Sequence, residues 1–176
     1  MWKDKVEQQR EDRTIDYVFR VLAIPWWYYG IAVVFCLVVW RIWKKPVLGL
    51  LAEYLFLVLA ETVLIRKPFT GEHLKLELFW SWRVWSVQRN QILTNVIMFI
   101  PAGLICGWLW KWKGLWVAIG LSLLIEVLQL VSGRGLCELD DVIHNCIGAF
   151  TGIVFVILIN RIIDRHSESE VRELEK

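Results

Sequence analysis

The residues of this chain whose types and spacing suit chemistry are polar side chains set at helical intervals inside apolar sequence. Ser122, Glu126 and Gln129 stand at i, i+4 and i+7, and at about 100° per residue they share one helix face. Asp141 and Asn145 stand four apart, and Gly148 and Gly152 continue the same face. Polar groups inside hydrocarbon are destabilising unless they meet a partner or water, so each stripe marks helix pairing or a received ligand. A carboxylate desolvated at a membrane boundary acquires a raised pKa and suits general-base work, the role open to Glu126 or Asp141. Arg134, in the loop between the stripes, presents a planar fork of donors suited to an anionic headgroup. An enzyme also needs a nucleophile beside its base. None is evident: Ser122 lies about a turn deeper than Glu126, and His144 is expected to face away from the Asp141 stripe. Cys137, Asp141, His144 and Cys146 are of types that bind zinc, but they do not share one helix face. His144 reads as a polar residue at the membrane surface, and no metal or cofactor is expected. Cys36, Cys106 and Cys146 fall in apolar stretches, and without a C-x-x-C pair there is no disulfide framework.

The elements that must position these residues are apolar helices. Of 176 residues 57% are hydrophobic and 12 are tryptophan, with a mean hydropathy of +0.48, too apolar for an ordinary soluble domain. A net charge of +2 gives no concentrated basic surface, so nucleic acid is not an expected partner. Hydrocarbon about 30 Å thick needs roughly 20 apolar helical residues. Five stretches approach that length: 24–43, 46–65, 92–110, 114–131 and 142–159. Tryptophans cluster at their ends, Trp26 and Trp27 against Trp40 and Trp43, and Trp108, Trp110, Trp112 and Trp116 at a turn, as interfacial indoles do. The expected fold class is therefore all-α, a polytopic membrane helix bundle of about five transmembrane helices. A charged tail, 1–23, precedes it as a solvated or interfacial segment, and its first helix is not a cleaved signal. The transmembrane domain spans 24–160, and 161–176 is expected to be a charged, frayed tail. The connection 66–91 mixes Trp and Leu with charges and suits the headgroup region.

Five crossings place the N-terminus, the 66–91 segment and the 132–141 loop on one side. Arg66, Asn95, Glu126, Gln129, Arg134, Asp140, Asp141 and Asn145 are thereby delivered to one leaflet boundary as a polar cluster. Glu53, alone in the second stretch, either lines a path or pairs with a residue the sequence does not identify. Gly103 and Gly107, like Gly148 and Gly152, form G-x-x-x-G spacings that allow close helix packing. Lys and Arg divide almost evenly between the two sides, but the tightest basic turns are Arg41-Ile42-Trp43-Lys44-Lys45 and Lys111-Trp112-Lys113. Placing those turns in the cytoplasm puts the polar cluster at the outer face.

Several of these features recur in order: Asn95-Val96-Ile97-Met98-Phe99-Ile100-Pro101-Ala102-Gly103, Ser122-x-x-x-Glu126-x-x-Gln129, Gly133-Arg134, and Asp140-Asp141-x-x-x-Asn145-x-x-Gly148-x-x-x-Gly152. Over residues 50–158 the chain resembles the VanZ family of bacterial membrane proteins. The resemblance implies a cell-envelope protein of the bacterial plasma membrane, linked to raised resistance to teicoplanin-type glycopeptides without remodelling of the wall precursor. It supplies no reaction. The leading expectation is a protein whose interfacial polar pocket engages an amphiphile, either a lipid-linked wall precursor or a lipophilic glycopeptide. The alternatives are a membrane enzyme acting on a lipid or lipid-linked headgroup, and a structural subunit in which the cluster only fixes packing. The sequence leans against an enzyme and leaves the oligomeric state open.

Overall fold

The computed structural model describes residues 24–66, 68 and 73–174, with side chains described as far as 170. The expected N-terminal segment 1–23 lies outside the described residues. Helix α1 is Trp26–Trp43; α2 is Pro46–Leu59 and continues as one π-helical turn, Ala60–Leu64. A short strand β1, Leu74–Lys75, and a single-turn helix α3, Trp80–Arg83, precede α4, Trp85–Trp110. A 3₁₀ turn at Lys111–Lys113 leads into α5, Gly114–Ser132; strand β2, Cys137–Glu138, leads into α6, Leu139–Leu174. These elements form two compact bodies, one of residues up to His73 with Leu128–Leu136, the other of Leu74–Val127 with Cys137 onward.

In the first body α1 and α2 form a hairpin. Lys44 adopts a left-handed conformation with φ 53° and donates its N–H to the Trp40 carbonyl, closing α1. Pro46 then opens α2 at a position where the missing N–H costs nothing. Gly49 sets the approach, because a Cβ there would stand 2.7 Å from the Cys36 carbonyl oxygen. Within α1 only Ala32 is buried; Tyr28, Cys36 and Val39 are half-buried, and most of the other apolar side chains are exposed. Such a surface is stable in lipid and not in water.

The second body is built on α4 and α6. A Cβ on Gly148 would fall 2.0 Å from the Val96 carbonyl oxygen, and one on Gly103 2.2 Å from that of Ala149, so these backbones touch. α4 begins at Trp85, seven residues before the apolar stretch expected to start at 92. Hydropathy locates hydrocarbon, whereas the turns containing Gln88, Arg89 and Asn90 are helical without being apolar. Between α4 and α5 Lys111 leaves helical geometry, with φ 52° and ψ −133°. A Cβ on Gly114 would stand 2.6 Å from the Cys106 carbonyl oxygen, although eight residues of straight helix span about 12 Å. The chain therefore folds back here. By length and composition four stretches can cross a membrane, and the 48-residue one, Trp85–Ser132, is these two successive helices. α6 runs unbroken for 36 residues, about 54 Å, so the charged segment after 160 is helical as far as Leu174.

Candidate functional site

The second body gathers four carboxylates where β2 enters α6. Asp140 is 1% exposed and accepts three hydrogen bonds: from the Phe79 N–H at 2.7 Å, the Ser81 N–H at 3.0 Å and the Ser81 hydroxyl at 2.6 Å. Phe79 enters α3 in a left-handed conformation, so a carboxylate from a distant helix supplies the N-terminal cap its own sequence lacks. Asp140 is thereby committed to holding the segment 79–81. Glu126 accepts the backbone N–H of Glu138 at 2.9 Å, fixing the strand that pairs in parallel with β1, Leu74 beside Cys137 and Lys75 beside Glu138. The Lys75 ammonium lies 3.3 Å from the Trp80 ring centroid, a cation–π contact.

Glu138 is 3% exposed, and its Oε2 has no hydrogen-bond partner among the described residues. Burial pushes its carboxyl up to about 7; Asp141 and Asp140 add to the rise, while the Trp80 indole and Lys75 oppose it. The neighbouring Cys137 thiol is also raised, first by burial and then by the negative charges of Glu126, Asp141 and Glu138, which disfavours a reactive thiolate. Asp141 is the open member of the four, its side chain 13% exposed. The Gln91 amide donates to its two oxygens at 3.4 and 3.2 Å.

His144 is fully buried within the protein, its ring stacked on Trp82 with centroids 6.1 Å apart. The Trp82 indole, which can only donate, gives its N–H to Nε2 of His144 at 2.8 Å. Nε2 is therefore an acceptor, which leaves Nδ1 as the protonated nitrogen, 3.7 Å from Asp141 Oδ1. The expectation that His144 turns away from Asp141 is corrected: at i, i+3 the two share a helix flank once the indole has oriented the ring. One turn on from Asp141, the Asn145 amide donates to the Ser122 hydroxyl at 2.9 Å, both buried within the protein. That bond occupies the one serine considered as a nucleophile. Among the described residues no three of His, Cys, Asp and Glu are placed to share a metal ion.

The first body holds a basic site. The π turn ends with the Ile65 N–H on the Ala60 carbonyl, and two of its carbonyls accept side chains from the chain around 130. Gln129 donates its amide to the Thr62 carbonyl at 3.2 Å, and Arg134 donates to the Leu64 carbonyl at 2.5 Å. Gly133, with φ 63°, terminates α5: its N–H reaches Leu130 and the Arg134 N–H reaches Gln129. Gly135 follows in a tight place, where a Cβ would meet Arg66 Nη1 at 3.1 Å and the Gln129 side chain at 3.2 Å. Arg66 thus lies against the Gly-Arg-Gly loop that carries Arg134. Among the described residues Arg83 pairs with Glu77, and neither Arg66 nor Arg134 takes part in an ion pair.

Of the expected cluster, Glu126, Asp140, Asp141 and Asn145 come together in the second body, and Arg66, Gln129 and Arg134 in the first. Asn95 lies partly buried on α4, and among the described residues no hydrogen bond joins its side chain to the others. Gln91, one turn earlier, is the residue of α4 that reaches Asp141. Ser81, Trp82 and Glu138 are further functional neighbours absent from the sequence reading. Ser81 and Trp82 carry no local signal, since their partners lie 59 and 62 residues away. Glu53 stands within hydrogen-bonding reach of the Cys36 thiol across the α1–α2 hairpin.

Two comparisons with known proteins bear on this arrangement. The pattern of the VanZ/LLP1 family matches residues 27–160. Protein VanZ of Enterococcus faecium is 33% identical over 76 residues, which cover 41% of this chain and 47% of that protein. The chain therefore spans about half the length of that curated relative. No solved structure matches it.

Proposed function

The chain belongs to the VanZ/LLP1 family, and from that premise we propose that this multi-pass membrane protein lowers susceptibility to teicoplanin-type glycopeptides by engaging an anionic amphiphile at the membrane surface. The observation that carries the proposal is the pair Arg66 and Arg134, drawn to Gly135 just past the ends of α2 and α5. One guanidinium is anchored on a backbone carbonyl, and both keep N–H groups for a phosphate or carboxylate. A lipid-linked wall precursor and a lipophilic glycopeptide are two amphiphiles that such a pair suits. With the basic turns at Arg41–Lys45 and Lys111–Lys113 in the cytoplasm, the pair faces outward, where either amphiphile is met.

The test is antibiotic susceptibility of a sensitive host expressing the full chain. Wild type raises the teicoplanin concentration needed for inhibition severalfold. Arg66→Gln with Arg134→Gln loses that rise while the protein stays at wild-type amounts in the membrane. Because Arg134 also holds the Leu64 carbonyl, Arg66→Gln alone serves as the second variant and reduces the rise. Unchanged resistance in both, at equal protein levels, overturns the proposal.

A further inference from the structure

We propose that the C-terminal half of α1 is a binding site for an anionic phospholipid, whose acyl chain lies along Val34, Leu37, Val38 and Ile42 and whose phosphate meets Arg41 and Lys44. These residues and Trp40, all on α1 or at its C-cap, Lys44, line an open groove of about 660 Å³. Val34, Leu37, Val38 and Arg41 stand at i, i+3, i+4 and i+7, so the stripe that begins apolar ends on a cation. All four apolar residues are roughly half exposed, and no helix of the first body covers them among the described residues.

Length and charge select the occupant. Ten residues separate Val34 from Lys44, about 15 Å of helix, which is half of a hydrocarbon core about 30 Å thick. The groove therefore runs the depth of one leaflet, from mid-bilayer to headgroup. No acidic residue occurs from Ile24 to Ala52, while Arg41, Lys44 and Lys45 crowd the helix end. The left-handed turn at Lys44 ends the helix at this level, and Trp40 and Trp43 mark the interface. A zwitterionic lipid would fit the apolar stripe equally well but would leave the cations without a net counter-charge. Diffuse attraction of cations to an acidic bilayer needs no groove, and this difference is what an experiment can read.

The experiment is native mass spectrometry of the purified full chain with phosphatidylglycerol or phosphatidylcholine of identical acyl chains. Wild type retains one phosphatidylglycerol in preference to phosphatidylcholine. Arg41→Gln with Lys44→Gln lowers that preference about 25-fold, at roughly fivefold per cation. Leu37→Trp, which fills the groove and keeps both cations, lowers retention as well. Lys111→Gln with Lys113→Gln, a basic turn outside the groove, leaves it unchanged. Equal retention of both lipids by wild type, or full retention by Leu37→Trp, overturns the site, as does a dimer through Val34 and Val38 that carries no lipid.

Discussion

At the scale of single residues, a carboxylate's role follows from what its oxygens already hold. Asp140 is saturated by three donors and acts as a cap; Glu126 holds a strand; Asp141 is the one with exposure. Four acids that look alike in sequence therefore have separate duties, and only long-range partners distinguish them. Glu138 gives a pH test. Burial raises its carboxyl to about 7 from 4.5, so the folded state binds this proton more tightly than the unfolded chain does. Its favourable contribution is complete below about pH 4.5 and is lost as pH climbs through about 7. Thermal stability in detergent should fall between pH 5 and pH 8, by up to roughly 3 kcal/mol from this group. Glu138→Gln should flatten that difference; melts with the wild-type slope would show that another group titrates.

At the scale of elements, glycine decides which helices touch. α4 and α6 approach until the position of a Gly148 Cβ falls on the Val96 carbonyl, so even Ala must push the helices apart. Gly148→Ala should destabilise the protein by about 1–3 kcal/mol. Gly30 on α1 has nothing within 4 Å of the same position, so Gly30→Ala should be neutral or slightly stabilising. Comparing the two melting temperatures separates helix packing from loss of glycine itself; equal effects would refute close packing at Gly148. The G-x-x-x-G spacing was legible in sequence as a tendency to pack. Which helix fills the groove was not, because the motif states a shape and names no partner. The π turn at Ala60–Leu64 was equally hidden, since its residues are ordinary helix formers and the widening shows only in backbone bonding.

At the scale of the whole molecule, the basic turns predict that the C-terminus after α6 lies in the cytoplasm. A reporter active only there, fused after Lys176, should give signal; activity only from an externally active reporter would reverse the orientation and place Arg66 and Arg134 on the cytoplasmic side. The amino-acid sequence by itself determined the class, the number of long helices and the membrane environment, because these follow from runs of apolar side chains, their length against a bilayer, and where tryptophan and lysine fall. It also placed Ser122, Glu126, Asp141 and Asn145 on polar faces, since helical periodicity is local. Tertiary structure alone decided that Trp82 orients His144, that Ser81 and Phe79 take Asp140, that Arg66 lies against Gly135 and that Arg134 reaches the Leu64 carbonyl. Those pairings span some 60 residues or more. Periodicity reports the face a side chain occupies, whereas its partner is set by how distant helices close on one another.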